Sequence, residues 1–275
     1  MPISWFPGHM VTARKDAIET MRRTDVVIEV LDARVPRSSC NPEFETLRRE
    51  NERPALKILN KADLADREKT QAWLAHYNAL PRTRAIALSA KSRSEVKRIL
   101  KECQSLAPTR TTAQKPLRMM ILGIPNVGKS TLMNTILNRR VAKVGDEPAI
   151  TKMQTRHEIG PAMSLVDTPG MTWGGMGEDV GLKLAATHSI GRNAYDDGTV
   201  ALDLASCLLK DYPDRILKRF GALPPGVDGH GVLASIARSR SFLVKGGALD
   251  LDKASTILLH EFRTGLLGPI TLEIP

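Results

Sequence analysis

Cysteine is scarce in this chain, and the 3 that occur, Cys40, Cys103 and Cys207, stand far apart. Their odd number argues against a disulfide framework, and none of their spacings suits zinc. A reducing compartment fits that usage. No apolar run approaches the ~20 residues a membrane-spanning helix needs, so no membrane role is expected. The opening, Met1 to Pro7, lacks both a secretory apolar core and the Arg- and Ser-rich character of a transit peptide, which makes the cytoplasm the expected compartment. Acidic residues are outnumbered, 30 against 40 Lys and Arg, leaving a formal net charge of +10. That surplus points either to an anionic partner larger than a nucleotide, most simply nucleic acid, or to a surface merely rich in Lys and Arg.

What is present supports a folded core. The chain has 275 residues, 42% of them hydrophobic, enough for one large domain or two moderate ones. The stretch from Trp5 to Met10 is aromatic and broken by Pro7-Gly8, so a turn or an ordered arm is expected there. A basic helix is expected from Val11 to Arg23, either packed with its charges in solvent or facing RNA. Strands at Asp25 to Leu31, Ala55 to Leu59 and Arg84 to Leu88 alternate with helices at Asp66 to Tyr77 and Ser94 to Leu106. This alternation predicts a doubly wound, mostly parallel α/β sheet with helices on both faces. A polar, Pro-bounded connector then leads to a further strand at Leu117 to Leu122. Glu147 to Lys152 reads as a loop, and a hairpin is expected around Gly160-Pro161. Beyond Trp173 the pattern becomes helical, with segments at Val180 to Ser189, Thr199 to Asp211, Asp214 to Phe220, Val232 to Ser239 and Leu251 to Thr264. The expected division is therefore an α/β domain over residues 1–178 and a smaller α-helical domain over 179–275.

The most informative run is Gly123-Ile124-Pro125-Asn126-Val127-Gly128-Lys129-Ser130-Thr131. It follows an apolar strand and opens a helix, the context that makes Gly-x-x-x-x-Gly-Lys-Ser a phosphate loop. Backbone N–H groups from Asn126 to Thr131 can turn around phosphate oxygens, assisted by the helix dipole and the charge of Lys129. The Ser130 hydroxyl can ligate Mg2+. Asn60-Lys61-Ala62-Asp63 ends another strand, where open α/β sheets bind ligands. The Asp63 carboxylate can accept from N1–H and the exocyclic amine of guanine, which adenine cannot offer. Lys61 can lie along the base, Asn60 can brace the loop, and Ser89-Ala90-Lys91 can present an N–H to guanine O6. Asp167-Thr168-Pro169-Gly170 offers a carboxylate to Mg2+ through water and the Gly170 N–H to a γ-phosphate, with Thr151 as a second hydroxyl for the metal. GTP is the nucleotide these motifs jointly predict.

The motifs resemble those of GTPases related to Ras and the translation factors, but in a different order. Asn60 to Asp63 and Ser89 to Lys91 precede the phosphate loop, and Thr151 and Asp167 to Gly170 follow it. The chain is similar to the circularly permuted GTPases. Among them it resembles those that assemble the large ribosomal subunit, through the Trp5 to Met10 opening, Asp32-Ala33-Arg34-Val35-Pro36, Gly246 to Ala254 and Phe262 to Gly265. The resemblance implies binding to a large-subunit precursor, its RNA and its proteins, by a monomer that hydrolyses GTP slowly until the particle stimulates it. It implies His9 as the group that orients water, because Met171 stands where Ras-like enzymes keep a Gln nearby. It also implies K+ at Asn126. The order itself implies that γ-phosphate ordering of the switches reorients the helical domain. The chain departs from the family pattern at Ala149 and at Gly174-Gly175. Two other readings stay open from the residues: a GTP-gated RNA-binding module in which hydrolysis is incidental, and a GTPase acting on another RNA such as tRNA.

Overall fold

A computed structural model describes residues 9–110, 112–139 and 154–275, apart from the side chains of 9–11 and 13. The arm before residue 9, Thr151 and the loop around it, and the side chain of His9 lie outside the described residues.

A six-stranded sheet forms the frame, in the order β3-β2-β1-β4-β6-β5. Its strands are β1 (Val26–Asp32), β2 (Ala55–Asn60), β3 (Thr83–Ala87), β4 (Leu117–Leu122), β5 (Thr155–Glu158) and β6 (Met163–Asp167). All neighbours are parallel except the edge hairpin of β5 and β6. β1 and β2 are buried along their whole length, which is why their apolar runs are continuous rather than alternating. The phosphate-loop strand β4 is fourth in the chain yet lies between β1 and β6. Every strand end that carries a motif therefore opens on the same edge.

Helices cover both faces. α1 (His9–Arg22), α2 (Pro42–Glu50) and α3 (Arg67–Asn78) lie on one face, through Ala17 and Met21, Phe44, and Trp73 with Tyr77. α4 (Arg93–Leu106) and α5 (Lys129–Ile136) lie on the other, through Val96, Ile99, Leu132 and Met133. α1 takes in His9 and Met10, two residues expected to belong to a non-helical arm. α2 has no counterpart in the sequence reading. Asn41 caps it by accepting from the Glu43 N–H, and Pro42 starts its first turn. It buries Phe44 and Arg48, and Glu45 pairs with Lys57 of β2 at 3.2 Å. Lys57 also pairs with Glu29, its register partner on β1, so a charge cluster fastens α2 to the sheet.

From Glu178 onward the chain is helical: α6 (Glu178–Ala186), α7 (Asp197–Asp211), α8 (Pro213–Phe220), α9 (Gly229–Ser239) and α10 (Leu251–Thr264). Asp196, Asp228 and Asp250 cap α7, α9 and α10 through their carboxylates. Leu204, Leu208, Ile236, Leu258 and Phe262 fill the interior. α6 stops at Ala186, short of the expected Ser189, because His188 takes a left-handed conformation with φ of 63°. After α10, Gly265 at φ +80° turns the chain, and a Cβ there would come within 2.7 Å of Leu64. Residues 270–274 then run back across the sheet domain as a strap. Ile270 N–H donates to Leu64 O at 3.0 Å and Leu272 N–H to Arg34 O at 2.8 Å. The Glu273 carboxylate accepts from Arg37 N–H at 2.7 Å and from Ser38.

Candidate functional site

The loops after β2, β3 and β4 meet at one cavity of about 840 Å3. Asn60, Lys61 and Asp63 line it from one side, with Ser89, Ala90 and Lys91 beside them. Asn126, Gly128, Lys129, Ser130, Thr131 and Gly170 line it from the other. Ala62 and Val127, also predicted for the site, do not line the cavity; they shape its loops. The Ala62 N–H donates to Leu88 O, and Val127 is fully buried.

Asn60 fastens the two halves together. Its Nδ2 donates to Val127 O at 2.7 Å, and its Oδ1 accepts from the Ala90 N–H at 2.8 Å. The brace demands a glycine opposite. A Cβ on Gly128, which sits at φ +101°, would lie 2.2 Å from Asn60 Nδ2. Lys61, at φ 61°, extends Nζ to Asn126 O at 2.7 Å and to Asp32 Oδ2 at 2.9 Å. Asp63, in the 3-10 turn Ala62–Leu64, is exposed to the cavity.

Asp32 is the buried anchor that the chemistry of the motifs does not reveal. It is wholly inaccessible and holds Arg34 through two bonds, at 2.9 and 2.8 Å, as well as Lys61. Burial pushes its carboxyl up, but the charges of Arg34 and Lys61 hold it well below the ordinary carboxylate range. Arg34 in turn stacks over Phe262 and donates to Arg263 O at 3.4 Å. The Asn60–Asp63 loop is thereby wired to α10. The signal that could have found Asp32 is its place at the end of β1, in register with Asn60.

Lys129 is buried, and its Nζ donates to Gly123 O and Ile124 O, each at 2.8 Å. Burial pushes its pKa down to about 8, opposed by the Asp167 charge. Asp167 is itself buried beside Thr168, whose hydroxyl donates to Ile121 O, and burial raises its pKa against the pull of Lys129. Phosphate oxygens replacing the two carbonyls would restore the ammonium form. Binding of GDP at pH 8.5 is therefore expected to take up a fraction of a proton, vanishing near pH 6. Calorimetry in buffers of different ionisation enthalpy measures this, and no buffer dependence at pH 8.5 would show that Lys129 stays charged in the free protein. The sign for folding is separate. A lysine depressed in the folded state makes stability rise with pH between about 8 and 10.5.

Among the described residues no group of three or more His, Cys, Asp or Glu is placed to hold a metal ion. A hydroxyl and one buried carboxylate nevertheless fit Mg2+, which keeps waters and takes its remaining ligands from substrate phosphates.

The roof of the cavity comes from the helical part: Thr187, His188 and Arg192 after α6, and Thr256, His260 and Arg263 of α10. Asn126 Nδ2 donates to His188 O at 2.7 Å, and Arg263 donates to Ala185 O and Ala186 O at 2.9 and 3.0 Å. No local pattern in the sequence marks these contacts.

Comparison with known proteins agrees with this geometry. Residues 118–205 match the family described as 50S ribosome-binding GTPase. Ribosome biogenesis GTPase A of Bacillus cereus is 37% identical over the whole of this chain and 95% of its own length. Mitochondrial ribosome-associated GTPase 1 of Bos taurus is 30% identical over 98% of this chain and 88% of its own length. The fold is that of GDP-bound TM YlqF, with a TM-score of 0.68 at 22% identity over 94% of this chain and 99% of the other. A circularly permuted order of GTPase motifs, one cavity onto which those motifs open, and relatives matched along their length agree: the chain belongs to the ribosome biogenesis GTPase A family.

Proposed function

We propose that this chain is a GTP-hydrolysing assembly factor that binds the large ribosomal subunit precursor and promotes its late maturation. The observation that carries the nucleotide is the Asn60 brace, which fixes a guanine-reading loop and a phosphate loop around one cavity. Asp63 accepts from the base, the α5 N-terminus and Lys129 hold the phosphates, and Gly170 approaches the γ-phosphate without a side chain in the way. Ser130 through its hydroxyl and Asp167 through water would hold Mg2+, with Thr151 as the further hydroxyl, and the ion would supply positive charge against the phosphates. Asn126 would help to hold K+, which would supply further positive charge beside the phosphate loop.

Met171 is buried in the cluster of Val27, Met120 and Leu122 and offers no group to orient water. His9, the first residue of α1, takes that role. Residues 1–178 act as the nucleotide unit and 179–275 as the unit that binds ribosomal RNA and proteins, its position set by the switch segments. The net charge of +10 supports an RNA partner, and the relatives named for ribosomes support the particle. The protein acts as a monomer in the cytoplasm.

The test is co-sedimentation with large-subunit precursors in a non-hydrolysable GTP analogue and in GDP, with single-turnover hydrolysis on the same particles. Binding with the analogue alone, and a rate raised by the particles, are expected. Equal binding in both nucleotides would leave only an RNA-binding module. A wild-type rate in His9→Ala on the particles would remove His9 from the chemistry.

A further inference from the structure

We propose that Arg192 is a guanidinium supplied by the helical part of the same chain to the phosphates of the bound nucleotide. The inference rests on the nucleotide reading above and adds a residue to it. Three arginines line the cavity: Arg34, Arg192 and Arg263. Two are committed elsewhere. Arg34 is locked on Asp32, and Arg263 donates to the carbonyls of Ala185 and Ala186. Arg192 is exposed, and among the described residues no hydrogen bond or ion pair holds it. Asp197 shares the cavity but does not come within the 4.0 Å of an ion pair.

The segment that leads into Arg192 is anchored both to the helical part and to the phosphate loop. Ser189 N–H donates to Leu184 O at 2.7 Å, and the neighbouring Ile190 is fully buried in the helical interior. Asn126 Nδ2 holds His188 O at 2.7 Å, which fastens the same segment to the start of the phosphate loop. A cation with no committed partner thus stands on a fixed backbone, across one cavity from Lys129, Ser130 and Gly170. Charge develops on the γ-phosphoryl oxygens during transfer, and a planar guanidinium suits phosphate geometry better than an ammonium. Hydrolysis breaks the bond from Pγ to the β–γ bridging oxygen and forms one from Pγ to a water oxygen. Arg192 donates to phosphate oxygens and exchanges no proton.

The experiment compares wild type, Arg192→Ala and Arg192→Lys as full chains, with and without large-subunit precursors. Single-turnover GTP hydrolysis in Arg192→Ala is expected to fall at least ~10-fold, while GDP affinity and the unfolding midpoint stay near wild type. Arg192→Lys should recover part of the rate, and millimolar guanidinium should raise the rate of Arg192→Ala but not of wild type. A wild-type rate in both variants would overturn the assignment. So would loss of particle binding at an unchanged rate, which would place Arg192 on RNA phosphates instead. A wild-type chain that fails to bind GTP would sink the nucleotide reading itself, a separate failure.

Discussion

Asp63→Asn is expected to lower GTP affinity by on the order of 10^2 to 10^3-fold and to raise affinity for xanthosine triphosphate. The carboxylate offers two acceptor oxygens to guanine, one for N1–H and one for the exocyclic amine. An amide keeps one acceptor and turns an N–H toward that amine, so one charge-assisted bond is lost and another becomes a donor facing a donor. Each such bond contributes roughly 1.5–3 kcal/mol, and each 1.4 kcal/mol is about tenfold. Xanthine carries a carbonyl where guanine carries the amine, and so accepts from the new N–H. Asp63 is exposed and makes no hydrogen bond among the described residues, so folding stability should move by no more than about 0.5 kcal/mol. Fluorescence titration with labelled GTP and xanthosine triphosphate checks both halves. An unchanged GTP affinity would refute the base contact.

The second large effect is expected away from the ligand. Asp32→Ala should destabilise the fold by about 3–5 kcal/mol, because removing one partner of a buried pair strands the other. Arg34 would be left 2% exposed without its counter-ion. Lys61 is about a quarter exposed and contributes less. Urea unfolding measures the loss. The comparison is Asp179→Ala, whose partner Lys183 meets an exposed carboxylate, and which should cost no more than about 1 kcal/mol. A loss for Asp32→Ala no greater than that for Asp179→Ala would show that the network carries no net stability. The sign in pH follows from the depressed carboxyl. Its contribution is complete above about pH 4 and drains away as acid protonates Asp32, so the wild type should lose more stability than Asp32→Ala between pH 4 and pH 2.

The parallel sheet was legible because Val26 to Leu31 and Ala55 to Leu59 are buried on both faces, and burial of that kind writes itself as an unbroken apolar run. The two nucleotide loops were legible because each packs its chemistry into four to nine consecutive residues at a strand end. α2 was not, since it buries one aromatic and one arginine and owes its place to Lys57 and Glu29. The end of α6 was misread because a left-handed histidine, rather than a glycine, stops it. The roles of Asp32 and Arg34 were hidden, since they depend on Lys61 and Phe262, distant in sequence. The roof of the cavity left no trace for the same reason: Asn126 and His188 are 62 positions apart.

The strap over residues 270–274 bears on how the chain reaches its fold. The Arg37–Glu273 contact closes a loop of 236 residues. Contacts of that separation cost the most chain entropy and form late. The end of β1 at Asp32 and the turn that follows with Arg34 are made among the first strands but wait for residues 270–274 to clamp them. During synthesis and refolding there is accordingly an interval in which the phosphate loop can be complete while the base loop still lacks its backing. Nucleotide capture in that interval should rest on phosphate contacts alone, and discrimination between purines should arrive with the docking of residues 270–274.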